Sequence, residues 1–238
     1  MVKKHLERYE TLICILTIVI YLVVNSYLLN NFGTTHYITA ISNLVLSLGI
    51  IMYITSSKLL DYYSLTTFPN PKKYMYFIPL ILLVSLNLIG GIKIINTLDE
   101  ILWHILTMIC VGFLEEIIFR GLLFKMMAKD NERLAIIVTT ITFGIGHIIN
   151  LLNGAEFLTT IIQIVYAMAG GYLFAVVLIK CKSLWPCILT HIGINALSIF
   201  NAENMVTMYI VPVLLVVISL GYAYWLNKKY KDKEYIPE

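Results

Sequence analysis

The sequence predicts an all-α polytopic membrane protein of eight transmembrane helices with an active site inside the membrane. Three observations carry that expectation. The 238 residues are 59% hydrophobic and only 13% charged, whereas a soluble domain is about half apolar and about a quarter charged. The mean hydropathy is +0.84, and the apolar residues fall into stretches near the roughly 20 residues that cross a hydrocarbon core of about 30 Å. Finally, carboxylates and imidazoles interrupt three of those stretches at matching depth.

The expected spans are 11–29, 37–56, 74–95, 101–127, 134–151, 158–179, 184–200 and 205–226. The first follows Lys3, Lys4 and Arg8; it is too long for a signal-peptide core and no small-residue cleavage site follows, so it reads as a retained span. Ser42, Asn43 and Ser47 dilute the second. Before the third lies the only sizeable loop, 58–73, with its Pro69-Asn70-Pro71 turn, and Pro79 reads as a local kink. Glu115, Glu116 and Arg120 stand in the fourth, and His147 in the fifth. The sixth holds a seam of small residues, Ala167, Gly170 and Gly171, suited to close helix contact. Ser183 and Pro186 open the seventh, as a helix cap and a first-turn proline, and His191 and Asn195 follow within it. Pro212 reads as a kink in the eighth. No linker, repeat or low-complexity tract divides the chain, so residues 1–238 are expected to form a single membrane domain.

The basic residues test this count. With eight spans, 15 of the 17 Lys and Arg residues fall on one side: Lys3, Lys4, Arg8, Lys58, Lys72, Lys73, Lys125, Lys129, Arg133, Lys180, Lys182, Lys228, Lys229, Lys231 and Lys233. The other side has only Lys93, beside Asp99, Glu100, Glu156 and Glu203, and Arg120 lies within the membrane. The positive-inside rule then puts both termini in the cytoplasm. A small chain with few soluble additions reads as a bacterial plasma-membrane protein. Its expected partners are the bilayer and a peptide or membrane-protein substrate; no nucleic-acid partner is expected.

Depth aligns the polar residues. At about 1.5 Å per helical residue, Glu115 lies roughly 15 Å from Lys125, His147 roughly 21 Å from Arg133, His191 roughly 14 Å from Lys182 and Asn195 roughly 20 Å. Charges at such depth are costly and usually functional. Glu116 and Arg120 are helical i, i+4 neighbours, with the acid in the favourable N-terminal position, so they are assigned to structure and electrostatic tuning. Glu115 is rotated about 100° from Glu116 and has no local partner, which leaves it for chemistry. His191 and Asn195 share a helix face and both can donate hydrogen bonds into one cavity. His104, beside Trp103, reads as part of an interfacial aromatic belt and is excluded. Cys14, Cys110, Cys181 and Cys187 lack metal-ligand spacing and read as small core residues.

No HExxH motif occurs, and no Ser or Cys stands next to a base. The remaining parts are a carboxylate and an imidazole that can activate water, Glu115 and His147, and a His–Asn pair that can stabilise an oxyanion. They imply water attack on a carbonyl, most naturally a peptide bond.

Glu115-Glu116-x-x-x-Arg120-Gly121, Phe143-x-x-x-His147 and His191-x-x-x-Asn195, in that order, resemble the CAAX-protease and bacteriocin-processing family, also called Abi proteins. The resemblance places the catalytic core in residues 101–200. It implies an eight-helix membrane endopeptidase in which Glu115 is the general base, His147 assists it, and His191 with Asn195 form the oxyanion hole. It also implies a bacterial role in peptide maturation, immunity or the cell envelope. A metal-free glutamate mechanism is favoured and no cofactor is expected; a zinc ion held by Glu115, His147 and His191 is the alternative. The competing readings are a catalytically silent scaffold or immunity protein on the same fold, and a carrier. Carriers of that kind usually show internal repeats, and none is found here.

Overall fold

The computed structural model describes residues 2–67 and 77–230, with side chains from residue 11 onward. The expected Pro69-Asn70-Pro71 turn, the start of the third span, and the basic residues before 11, at 72–73 and after 230 lie outside the described side chains.

Eight helical segments follow one another: α1 Val2–Phe32, α2 Tyr37–Ser56, α3 Ile78–Leu88, α4 Leu98–Ala128, α5 Glu132–Leu152, α6 Phe157–Cys181, α7 Trp185–Phe200 and α8 Val206–Lys229. No strand forms among the described residues; a lone antiparallel bridge joins Ile92 to Asn201. Among the described residues six helices are long and apolar enough to cross a membrane, and α3 and α7 are shorter apolar helices of 10–17 residues. Of the eight full spans expected from the sequence, six are found as helices of spanning length among the described residues, and the other two appear as short apolar helices.

The two short helices have identifiable causes. The third apolar stretch was expected over 74–95, yet its helix ends at Leu88 in a turn at Gly90-Gly91 and continues as extended chain. Lys93 donates its backbone N–H to the Phe200 carbonyl there, so the apolar run after Leu88 serves as a tie to the end of α7. On α7, Pro186 lies in the first turn and the last three residues tighten into a 3-10 turn. Asn87 of α3 donates to the Ile194 carbonyl at 2.5 Å, which joins the two short helices to each other.

One end of the bundle carries Lys58, Lys125, Lys129, Arg133, Lys180, Lys182, Lys228 and Lys229; the other carries Lys93, Asp99, Glu100, Glu156 and Glu203. At the basic end Trp185 Nε1 donates to the Leu65 carbonyl at 2.9 Å and Lys125 Nζ to Ser64 Oγ at 2.9 Å. These contacts fix the loop after α2 against α4 and α7. The core lies between, in a buried cluster that includes Leu83, Leu114, Ile117, Ile118, Leu173, Ile188 and Leu226. Leu12, Val23, Val45, Ile137, Val165 and Val217 face outward, as expected of helices whose outer faces meet lipid.

Candidate active site

Thr97 caps α4 with a reciprocal capping box, accepting from the Glu100 backbone N–H while Glu100 accepts from that of Thr97; together these satisfy two otherwise orphaned amides. The helix then runs as regular α to Glu116 and widens into a π-helical segment, Ile117–Phe124, whose residues are all buried. Such widenings are rare and frequently sit at functional sites. This one begins at the residue after the paired glutamates.

Glu116 and Arg120 are both fully buried, and Arg120 Nη1 donates to Glu116 Oε1 at 3.1 Å. The same oxygen lies 2.8 Å from His191 Nδ1. Glu116 faces the Arg120 guanidinium, so Nδ1 is assigned as the donor. The guanidinium carbon sits 4.2 Å from the centre of the Phe143 ring and 5.6 Å from that of Phe174, a cation–π arrangement in a desolvated place. Gly171 makes that arrangement sterically feasible, since a β-carbon there would stand 3.0 Å from Arg120 Nη2 and 3.2 Å from Phe143. Gly112, one turn before the glutamates, does the same for α7: its β-carbon would meet the Ile192 backbone nitrogen at 2.9 Å. The close crossing it permits carries His191 to both glutamates.

Glu115 turns away from that buried pair into a cavity of about 380 Å³. His147, His191 and Asn195 line the same cavity. His191 Nε2 lies 3.5 Å from Glu115 Oε2, so the ring bridges the two glutamates, one nitrogen to each. With Nδ1 donating to Glu116, Nε2 can donate into the cavity only when the ring carries both protons. His147 caps the first section of α5 and packs edge-on against Phe143, with centroids 5.6 Å apart. It makes no side-chain hydrogen bond or ion pair among the described residues. The Asn195 side chain is half-buried and faces the cavity, while its backbone carbonyl accepts from Ser198 Oγ at 2.7 Å.

Two residues have roles that the sequence did not suggest. Tyr21 of α1, 5% exposed, donates its phenolic hydrogen to Glu115 Oε1 at 2.7 Å. His104 is buried rather than interfacial: Nε2 lies 3.2 Å from the Asn195 carbonyl and Nδ1 3.0 Å from Thr34 Oγ1. It braces the end of α7 from outside the cavity. The burial of His104 corrects the aromatic-belt reading, although its exclusion from the cavity lining stands.

Residues 97–197 match a family model described as Type II CAAX prenyl endopeptidase Rce1-like. This is the CAAX-protease family that the three motifs resemble. The matched segment runs from the cap of α4 to the last α-helical residue of α7, and it contains every named residue of the three motifs. Tyr21 lies outside it. The family is one of membrane endopeptidases, and with six helices fit to cross a bilayer the chain is an integral membrane protein. No curated protein and no solved structure matches the chain.

A zinc ion on Glu115, His147 and His191 does not fit the side chains as they stand. No group of three His, Cys, Asp or Glu residues gathers to metal-binding distance among the described residues.

Proposed function

We propose that this protein is an intramembrane endopeptidase that hydrolyses a peptide bond with water activated by Glu115. The observation that carries this reading is the meeting of Glu115, His147, His191 and Asn195 in one cavity, at a level where polar groups are otherwise expelled.

Glu115 takes a proton from a water molecule held between it and His147, and the resulting hydroxide attacks the peptide carbonyl carbon. The oxyanion receives N–H donors from His191 Nε2 and the Asn195 amide, in the manner of other preorganised oxyanion sites. When the C–N bond breaks, Glu115 returns its proton to the leaving nitrogen, and the products are a carboxylic acid and an amine. Glu116 and Arg120 hold His191 in place from behind. Tyr21 fixes one oxygen of Glu115, leaving the other for the proton transfer. No step is assigned to a metal ion.

In this reading residues 101–200 form the catalytic core of a single membrane domain. The short α3 and α7 complete an eight-helix bundle, and both termini lie in the cytoplasm with the basic end of the bundle. Purified protein incubated with a mixture of unstructured peptides tests the reading. New peptide termini should appear with the wild type and be absent with Glu115→Gln, and equal product from both would overturn it.

A further inference from the structure

The cavity lies to one side of its catalytic level. Toward the basic end it is closed by the buried rings of Phe119, Phe143 and Phe174, with Arg120 and Glu116 packed behind them. Toward the other end its lining follows the last turns of α1, α3, α5 and α7 and the earlier turns of α4 and α6. The ends of α3, α5 and α7 lead into the segments that carry Lys93, Asp99, Glu100, Glu156 and Glu203. Ser198, on the lining at the end of α7, is exposed.

Apolar residues such as Leu22, Leu29, Leu83 and Ile149 line this extension, and its polar groups are mostly of one kind. Asn25, Asn87, Asn150, Asn153 and Gln163 contribute carboxamides, and no Lys, Arg or Asp lines the cavity. Each carboxamide has two donors and two acceptor lone pairs, and the bonds present use only part of that capacity. Asn150 donates to Gln163 at 2.8 Å and Asn153 accepts from Ser26 at 3.0 Å. Asn25 is 5% exposed, and its Oδ1 is buried without a partner. Carboxamides match the donor–acceptor pattern of a peptide backbone, while no lysine or arginine lines this extension to pair with a free C-terminal carboxylate.

We infer that the substrate is an internal, uncharged stretch of extended polypeptide that enters from the end of the bundle opposite the basic one. By the positive-inside rule this is the non-cytoplasmic side, so the substrate is exported or membrane-anchored chain exposed there, and the mouth is acidic where it enters. The inference rests on the endopeptidase reading for its substrate and on the cavity alone for its direction.

Sealed membrane vesicles of both orientations, containing the full chain, separate these two parts. A membrane-impermeant maleimide should label Ser198→Cys and Ser26→Cys in right-side-out vesicles, and Lys129→Cys only in inverted ones, each measured against the wild-type cysteines. Labelling of Ser198→Cys and Ser26→Cys from the Lys129 side would overturn the direction. A capped, unstructured fluorogenic polypeptide should be cleaved when added outside right-side-out vesicles and left intact outside inverted ones; the reverse would overturn the substrate assignment. The same peptide left intact in detergent as well would sink the endopeptidase reading, with the maleimide pattern still deciding the direction.

Discussion

Tyr21 Oη lies 2.7 Å from Glu115 Oε1, a contact between α1 and α4 across 94 positions of sequence. The opposite oxygen of the same carboxylate lies 3.5 Å from His191. Glu115 is therefore held from two sides by helices on either flank, with its orientation fixed before any substrate arrives. Preorganisation of this kind lets a catalytic group act without reorganising at the moment of reaction.

Tyr21→Phe should leave the amount of folded protein unchanged, because the ring still fills its place, while lowering peptide turnover about tenfold. A hydrogen bond to a charged group contributes roughly 1.5–3 kcal/mol, and about 1.4 kcal/mol corresponds to tenfold in rate. Turnover measured at saturating peptide checks this. A variant as fast as the wild type would make Tyr21 a packing residue.

The paired glutamates should separate by phenotype. Glu115→Gln should abolish turnover with no loss of thermal stability, because the amide keeps the size of the side chain and still accepts from Tyr21. Arg120→Ala should lower abundance and melting temperature, since it leaves Glu116 as an uncompensated buried charge at a cost of about 3–5 kcal/mol. Melting curves beside a cleavage assay separate the two. If Glu116→Gln is inactive but stable while Glu115→Gln still turns over, the roles are reversed.

How far the sequence could be read depended on what each residue costs in lipid. Glu115, Glu116, Arg120, His147, His191 and Asn195 were legible because polar groups at mid-membrane depth demand a reason, and counting from the nearest basic residue levels them. Tyr21 gave no such signal: it is one of 16 tyrosines, an amphipathic side chain common in membrane helices, and only the packing of α1 on α4 brings it to Glu115. Hydropathy also overran α3, because an apolar stretch reads the same whether helical or extended; the Gly90-Gly91 pair was the local mark of its end. The π-helical Ile117–Phe124 left no trace in the residue pattern. His104 was misplaced because proximity to Trp103 suggested an interface, whereas its partners come from the loop after α1 and the end of α7.

Gly171→Ala should destabilise the protein by about 1–3 kcal/mol, the usual range for an extra methyl group forced into a packed core. Its added carbon would press on Arg120 and Phe143 at 3.0 and 3.2 Å, and the disturbance would pass through Arg120 to Glu116 and His191. Gly221→Ala is the control, with nothing within 4 Å of the added carbon; there alanine should be neutral or slightly stabilising, given its better helix propensity. Melting temperatures for the pair check the claim. Equal values would mean the contact around Arg120 has room to relax.

Removal of metal should leave activity intact. Glu115, His147 and His191 are not gathered to metal-binding distance among the described residues, so holding an ion would require them to draw together. Water activation then falls to Glu115 with His147, neither of which needs a Lewis acid to accept a proton. Purified protein treated exhaustively with a membrane-permeant chelator should cleave peptide at the untreated rate, and elemental analysis should find no stoichiometric metal. Activity that disappears on chelation and returns with zinc, in step with one bound ion per chain, would overturn this. Glu115, His147 and His191 would then have to draw together around the ion.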